Sequence, residues 1–266
     1  MLPPADWIDL ERYPLRELAS AATRRVVAQA GRDLAQAGMA VLPGFLKPEA
    51  LGALAAECDA LAVLGHFSEV HGTPYIDVPD LARPEGHPRR TLGRSALSAV
   101  AYDRFPADSA LRALYEWDPL MEFVRVLLGR ERLFRYADPL GALNLAVMRA
   151  GDELAWHFDQ TDFVISLAIQ SSEAGGEFEC VPLVRGASDE RYDAVSAVLS
   201  GETRPISVPM TPGTLMLFEG RRSIHRVSPV HGTRPRYVAL LAYDTKPGTD
   251  SSDLLKRVRY GRLPGE

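Results

Sequence analysis

The stretch Trp156-His157-Phe158-Asp159, with the strand-like run Phe163-Val164-Ile165-Ser166-Leu167-Ala168-Ile169-Gln170 close behind it, decides how this chain is read. In an extended strand residues i and i+2 share a face, so the His157 imidazole and the Asp159 carboxylate can grip one metal ion. A third ligand must come from elsewhere. His225, in Arg222-Ser223-Ile224-His225-Arg226-Val227, stands just after another strand-like run at 213–218. An isolated His-x-Asp triplet is weak evidence of a metal site; its position gives it weight, because a rolled antiparallel sheet can bring such strand ends to one mouth. The same sheet supplies Arg236, which begins the last long strand, Arg236-Tyr237-Val238-Ala239-Leu240-Leu241-Ala242-Tyr243-Asp244. A fixed guanidinium fork pairs bidentately with a carboxylate. A dicarboxylate can then chelate a metal at one end and meet Arg236 at the other, with Arg234 as the competing candidate two residues earlier.

Working outward, short β-rich segments fill the chain after about residue 134, at 143–148, 163–170, 177–181, 206–208, 214–218 and 237–243, separated by Gly, Pro and Asp. Many short strands at regular spacing indicate a sandwich or barrel. One helix-compatible insertion, 189–199, interrupts them. Upstream, apolar residues recur at helical spacing over 15–37, run into a short strand near 39–45, and resume in a helix opened by Pro48 that continues through residue 64. Residues 66–94 read as irregular, being rich in Pro and Gly. Helix follows over 108–128 with a break near Asp118-Pro119. The expected organisation is one domain over 1–266, mainly β with flanking helices: a mostly helical part (1–135), a rolled β core (136–246) and a C-terminal tail (247–266).

Composition narrows the function. The chain has 266 residues and a formal net charge of −5, with acidic and basic residues interleaved. No basic stripe suggests nucleic acid and no polybasic helix a membrane, so a small molecule is the expected partner. Only Cys58 and Cys180 are present, which argues for ordinary buried thiols in a reducing compartment. The first eighteen residues lack a signal-type apolar core and no run approaches a membrane span, so the expectation is a cytoplasmic protein. Oligomeric state is not legible. Neither G-x-x-x-x-G-K nor G-x-G-x-x-G occurs, and Ser223 and Ser228 lack a nucleophile elbow, so nucleotide binding and serine-hydrolase chemistry are unsupported.

Taken in order, His157-Phe158-Asp159, Glu173-Ala174-Gly175-Gly176-Glu177-Phe178, Pro212-Gly213-Thr214-Leu215, His225-Arg226-Val227-Ser228-Pro229-Val230 and Arg236 resemble the Fe(II)/2-oxoglutarate-dependent oxygenases over about residues 143–244. That family's fold is a double-stranded β-helix, a cupin-like jelly roll, flanked by helices. The resemblance implies that His157, Asp159 and His225 hold Fe(II) as a facial triad, that Arg236 holds the distal carboxylate of 2-oxoglutarate, and that O2 is consumed. A narrower similarity is to a bacterial subgroup of free-amino-acid hydroxylases and halogenases, through Asp138-Pro139, Asn144, Gly151-Asp152, Lys246-Pro247-Gly248 and Tyr260-Gly261-Arg262. Its halogenases carry Gly where this chain has Asp159, so the resemblance implies hydroxylation of a small polar metabolite, a free amino acid or derivative. Desaturation or cyclisation on the same cofactors, peptide hydroxylation, and a non-catalytic cupin-like metal-binding module are the alternatives.

Further site residues follow from position. Asn144 and Met148 share one face of the first barrel strand, where either can line the co-substrate pocket or serve structure. For the substrate, Arg94 and Arg90 in the basic segment His87-Pro88-Arg89-Arg90-Thr91-Leu92-Gly93-Arg94 can meet a carboxylate or simply balance local acids. Gln160 and Asp162, just past the metal motif, can meet a polar substrate or act as turn residues.

Overall fold

The computed structural model describes residues 3–186 and 188–266. Two antiparallel sheets face each other. The larger has seven strands in the order Met39–Leu42, Leu215–Phe218, Val164–Gln170, Arg236–Leu241, Leu143–Met148, Gly93–Val100 and His66–Gly72. The smaller has four, Ile206–Val208, Phe178–Val181, Ile224–Val227 and Leu154–His157. This is the expected jelly roll with flanking helices.

Alternation along the central strands builds the layers. Leu143, Leu145 and Val147 point outward, with Tyr237, Ala239 and Leu241 of the neighbouring strand, into a core shared with the helices Ala21–Ala37, Pro48–Ala62, Ala110–Glu116 and Asp118–Leu127. The intervening Ala146 and Met148 point inward, where Met216, Phe218, Phe178 and Val227 close the space between the sheets. Burying one such large side chain contributes about 1.5–3 kcal/mol. A one-residue slip of any of these strands would therefore turn its apolar set away from the helices.

Several expected boundaries shift for local reasons. The first long helix begins at Ala21 instead of residue 15, because the Ser20 hydroxyl accepts from the Thr23 amide and caps it there. The break near Asp118-Pro119 falls where expected, Pro119 entering the first turn of the second helix. Residues 66–94 are only partly irregular. Their two ends pair as strands, His66 opposite Ala99 through Gly72 opposite Gly93. The strand His66–Gly72 lies at the sheet edge and is largely exposed, so it carries no apolar alternation to reveal it. Three strands of the larger sheet thus come from the part of the chain that reads as mostly helical. Within the tail, Asp253–Tyr260 is a helix, capped by Ser252 and ended by Gly261. Both cysteines are buried and free. No helix among the described residues is long and apolar enough to cross a membrane.

Candidate metal centre

His157 ends its strand in the smaller sheet directly opposite His225 on the neighbouring one. Their rings lie 4.1 Å apart between centroids. Each ring is aimed by its own backbone: His157 Nδ1 lies 2.8 Å from the Ala155 carbonyl and His225 Nδ1 lies 3.1 Å from that of Ser223. With Nδ1–H donating to these carbonyls, both Nε2 lone pairs turn the same way.

Asp159 falls just past the strand end, so strand alternation does not place it. Its amide donates to the Gly220 carbonyl at 3.0 Å, and its Oδ1 stands 3.5 Å from His225 Nε2 and 3.9 Å from His157 Nε2. A Cβ on Gly220 would sit 1.6 Å from Asp159 Oδ2, so only glycine lets the carboxylate in. The three ligand atoms all lie within 4.8 Å of one another, close enough for one ion. Burial, then the neighbouring His225, pushes His157 down to about 4, which keeps its imidazole neutral at ordinary pH. Burial opposes ionisation of Asp159, but His225, His157 and Arg259 outweigh it and hold the carboxylate below its usual range. Two imidazoles and a carboxylate suit a divalent transition metal.

Arg236 is buried on the inward face of the larger sheet and pairs in register with Met148. Its Nη1 donates to the Met148 thioether at 3.8 Å, and among the described residues no carboxylate stands within ion-pair distance of it. Burial pushes the guanidinium down to about 10. An unpaired buried cation is costly, which makes an anionic ligand its natural complement. Arg234, by contrast, is exposed and donates to the Ser171 and Ser172 carbonyls as a surface strap.

Asn144 sits two strand pairs away on the same inward-facing series as Met148, and together with His157, Asp159, Gln160, Leu240 and Arg259 it lines a recess of about 240 Å³. The other expected substrate residues are placed elsewhere. Arg94 is tied to Glu69 at 3.0 Å and Glu153 at 3.2 Å on the outer side, and Arg90 donates to the Arg83 carbonyl with Glu85 3.8 Å away. Both are occupied by local acids outside the recess. Asp162 forms an exposed ion pair with Arg221 at 2.9 Å, which fastens the loop after Asp159, and of this pair of polar residues only Gln160 reaches the recess.

Sequence reasoning missed two residues here. Gly220 looks like any turn glycine until the approach of Asp159 is seen. Arg259, on the helix Asp253–Tyr260, lines the recess and donates to Asn144 Oδ1 at 3.4 Å. Ser252 before that helix and Gly261 after it are start and stop signals that would have found it.

A family model described as Halogenase D matches residues 22–256. No curated protein sequence matches the chain. Among solved structures, the non-heme alpha ketoglutarate dependent carbocyclase SnoK from nogalamycin biosynthesis is 15% identical with a TM-score of 0.56, covering 90% of this chain and 93% of that one. A 2OG-Fe(II) oxygenase family oxidoreductase from Burkholderia pseudomallei is 16% identical at TM-score 0.52, covering 84% and 92%. A Pseudomonas putida prolyl-4-hydroxylase is 18% identical at TM-score 0.50, covering 81% and 97%. At these identities the structural likeness is one of fold.

Proposed function

We propose that this chain, which belongs to the Halogenase D family, is an Fe(II)- and 2-oxoglutarate-dependent dioxygenase that hydroxylates an unactivated C–H bond of a small polar metabolite, a free amino acid or derivative. The observation that carries this reading is the convergence of His157, Asp159 and His225, with ligand atoms within 4.8 Å of one another, in the same barrel as the unpaired buried Arg236. His157 Nε2, His225 Nε2 and an Asp159 oxygen are the iron ligands, and Arg236 receives the far carboxylate of 2-oxoglutarate, beside Met148 and Asn144. Bound together, iron, 2-oxoglutarate and O2 supply the oxidising power to break a C–H bond, with succinate and carbon dioxide as co-products.

The protein's own part is geometric. The Ala155 and Ser223 carbonyls hold the two imidazoles in the ligating tautomer, and Gly220 admits the carboxylate. The Phe178 and Phe218 rings flank His225, with centroids 5.4 and 4.8 Å away, and keep water from its buried side. No side chain has to act as a strong acid or base. Asp159 is what favours hydroxylation within a family named for halogenation, because a carboxylate on the metal occupies the position a halide would need. The loop after the strand His66–Gly72 is fastened to the metal strand by the Phe158 amide, which donates to the Pro74 carbonyl at 2.7 Å, and the recess of about 240 Å³ beneath it suits a small ligand better than a peptide. The cytoplasm is the compartment this reading assigns.

Product mass after turnover under ¹⁸O₂ tests the reading. A substrate that gains one oxygen derived from O2, with one succinate per product, is the expected result. Loss of two hydrogens would replace hydroxylation by desaturation, and a gained chlorine would overturn the role given to Asp159.

A further inference from the structure

Two recesses meet at the metal centre. One, of about 240 Å³, contains Asn144, Asp159 and Gln160; the other, of about 160 Å³, runs along the outer side of His157 past Trp156 and Val258; Ile76, His157, Leu255 and Arg259 line both. Their walls differ in kind. Ile76, Leu255 and Val258 are 47%, 39% and 38% exposed, an apolar surface left open beside a half-buried metal site. Arg259 is the one guanidinium lining either recess, and among the described residues no carboxylate stands within ion-pair distance of it. The other arginines near the mouth, Arg89, Arg90 and Arg94, each have acidic partners.

Both elements are held in place by something other than a ligand. Ile76 has φ 57, a left-handed conformation that a β-branched residue adopts only under constraint. The Thr73 carbonyl, accepting from the Ile76 amide at 2.9 Å, supplies part of that constraint. The helix bearing Arg259, Leu255 and Val258 is pinned by buried Lys256, which reaches Asp250 at 2.6 Å. A strained apolar side chain and a guanidinium without a carboxylate partner are thus both presented to one cavity beside the metal ligands, where an anion with an apolar body would complement both.

We propose that Arg259 and the Ile76, Leu255 and Val258 wall form the substrate subsite: the guanidinium takes a carboxylate bidentately, and the wall takes an apolar body. This rests on the function proposed above and narrows it. Among free amino acids, those with apolar side chains are the substrates, because among the described residues no acidic side chain other than Asp159 lines either recess to receive a second cation. Asn144 Oδ1, which accepts from Arg259, fixes the fork's orientation as a positioning contact.

The test uses anaerobic full-length protein loaded with Fe(II) and 2-oxoglutarate, titrated with the twenty L-amino acids and with their C-terminal amides. Binding is read by calorimetry and by perturbation of the iron-to-2-oxoglutarate charge-transfer band. Apolar amino acids are expected to bind, their amides at least tenfold more weakly. Arg259→Gln should weaken the acid at least tenfold and bring acid and amide to equal affinity, with Arg259→Lys intermediate. Leu255→Gln should weaken binding of the apolar amino acid while preserving the acid–amide ratio. Before any amino acid is added, the charge-transfer band should still form in all three variants, which reports that they fold and load iron and 2-oxoglutarate. Equal binding of acid and amide by the wild type, full discrimination by Arg259→Gln, or response only to charged amino acids would overturn the subsite alone. A wild type with bound iron and no band would sink the co-substrate reading, and the subsite with it.

Discussion

Gly220 and Arg236 show how single residues set what the metal centre can do. A methyl at position 220 would overlap Asp159 Oδ2 at 1.6 Å, so Gly220→Ala should push the carboxylate out of ligating position. Iron affinity, measured by titration under argon, should fall about 10–100-fold, the usual effect of disturbing a group that orients a ligand. Circular dichroism should stay native, since the change lies in a turn. Arg236 makes an opposite case, in which function and stability conflict. Its charge is buried without a carboxylate partner and its pKa is pushed down to about 10 by that burial, so below that pH the folded state carries a desolvated cation that the unfolded chain does not. Arg236→Met should therefore unfold at higher urea in the absence of ligands, by on the order of 1 kcal/mol. With iron present, 2-oxoglutarate at a hundred times its Kd should stabilise the wild type by about 2.7 kcal/mol and leave the variant unmoved. At this scale the sequence is informative where chemistry and spacing coincide: His157, Asp159 and His225 stand out by residue type and position, and the structure brings their ligand atoms within 4.8 Å of one another. It is silent where a role consists of making room, as at Gly220. It leaves candidates open where like residues recur: Arg90 and Arg94 pair with local acids outside the recess, whereas Arg259 lines it.

The elements that carry the site differ in how plainly they are written. The central strands Leu143–Met148 and Val164–Gln170 are apolar on both faces and bounded by turn residues, so their existence needs no tertiary context. The edge strand His66–Gly72 is largely exposed, and its pairing with Gly93–Val100 is fixed by backbone hydrogen bonds that leave no mark on residue choice. The helix Asp253–Tyr260 is short, polar and close to the end of the chain, and it is held by tertiary contacts. One of them is Gly261, which adopts φ 72 and lies so close to His66 that a Cβ there would come within 2.6 Å of the imidazole. Gly261→Ala should combine the left-handed backbone penalty with that contact and loosen the helix from the sheet edge. We expect a loss of about 1 kcal/mol or more in urea unfolding, together with faster amide exchange across residues 253–260. Unchanged exchange there would show that Lys256 and its ion pair hold the helix without help from Gly261.

The whole molecule explains why residues from distant parts of the chain converge. In the jelly roll, His157 and His225 become cross-strand neighbours in the smaller sheet, and Arg236 lies on the inward face of the larger one. Helices cover the outward face of the larger sheet, which leaves the mouth of the barrel to the 73–92 loop and the C-terminal helix. The layering was legible because short β-rich, largely apolar runs bounded by turn residues recur after residue 134. The contribution of residues 1–135 to the larger sheet was legible only in part: the short strand near 39–45 was expected, whereas His66–Gly72 and Gly93–Val100 were hidden in a stretch rich in Pro and Gly. The central claim is that the triad and Arg236 act on one metal-bound dicarboxylate. Visible absorption of anaerobic protein titrated first with Fe(II) and then with 2-oxoglutarate tests it most directly, with Asp159→Ala and Arg236→Met alongside. A metal-to-ligand charge-transfer band is predicted in the wild type, requiring more Fe(II) without Asp159 and far more 2-oxoglutarate without Arg236. Bound iron with no such band, or an unchanged 2-oxoglutarate requirement in Arg236→Met, would contradict it.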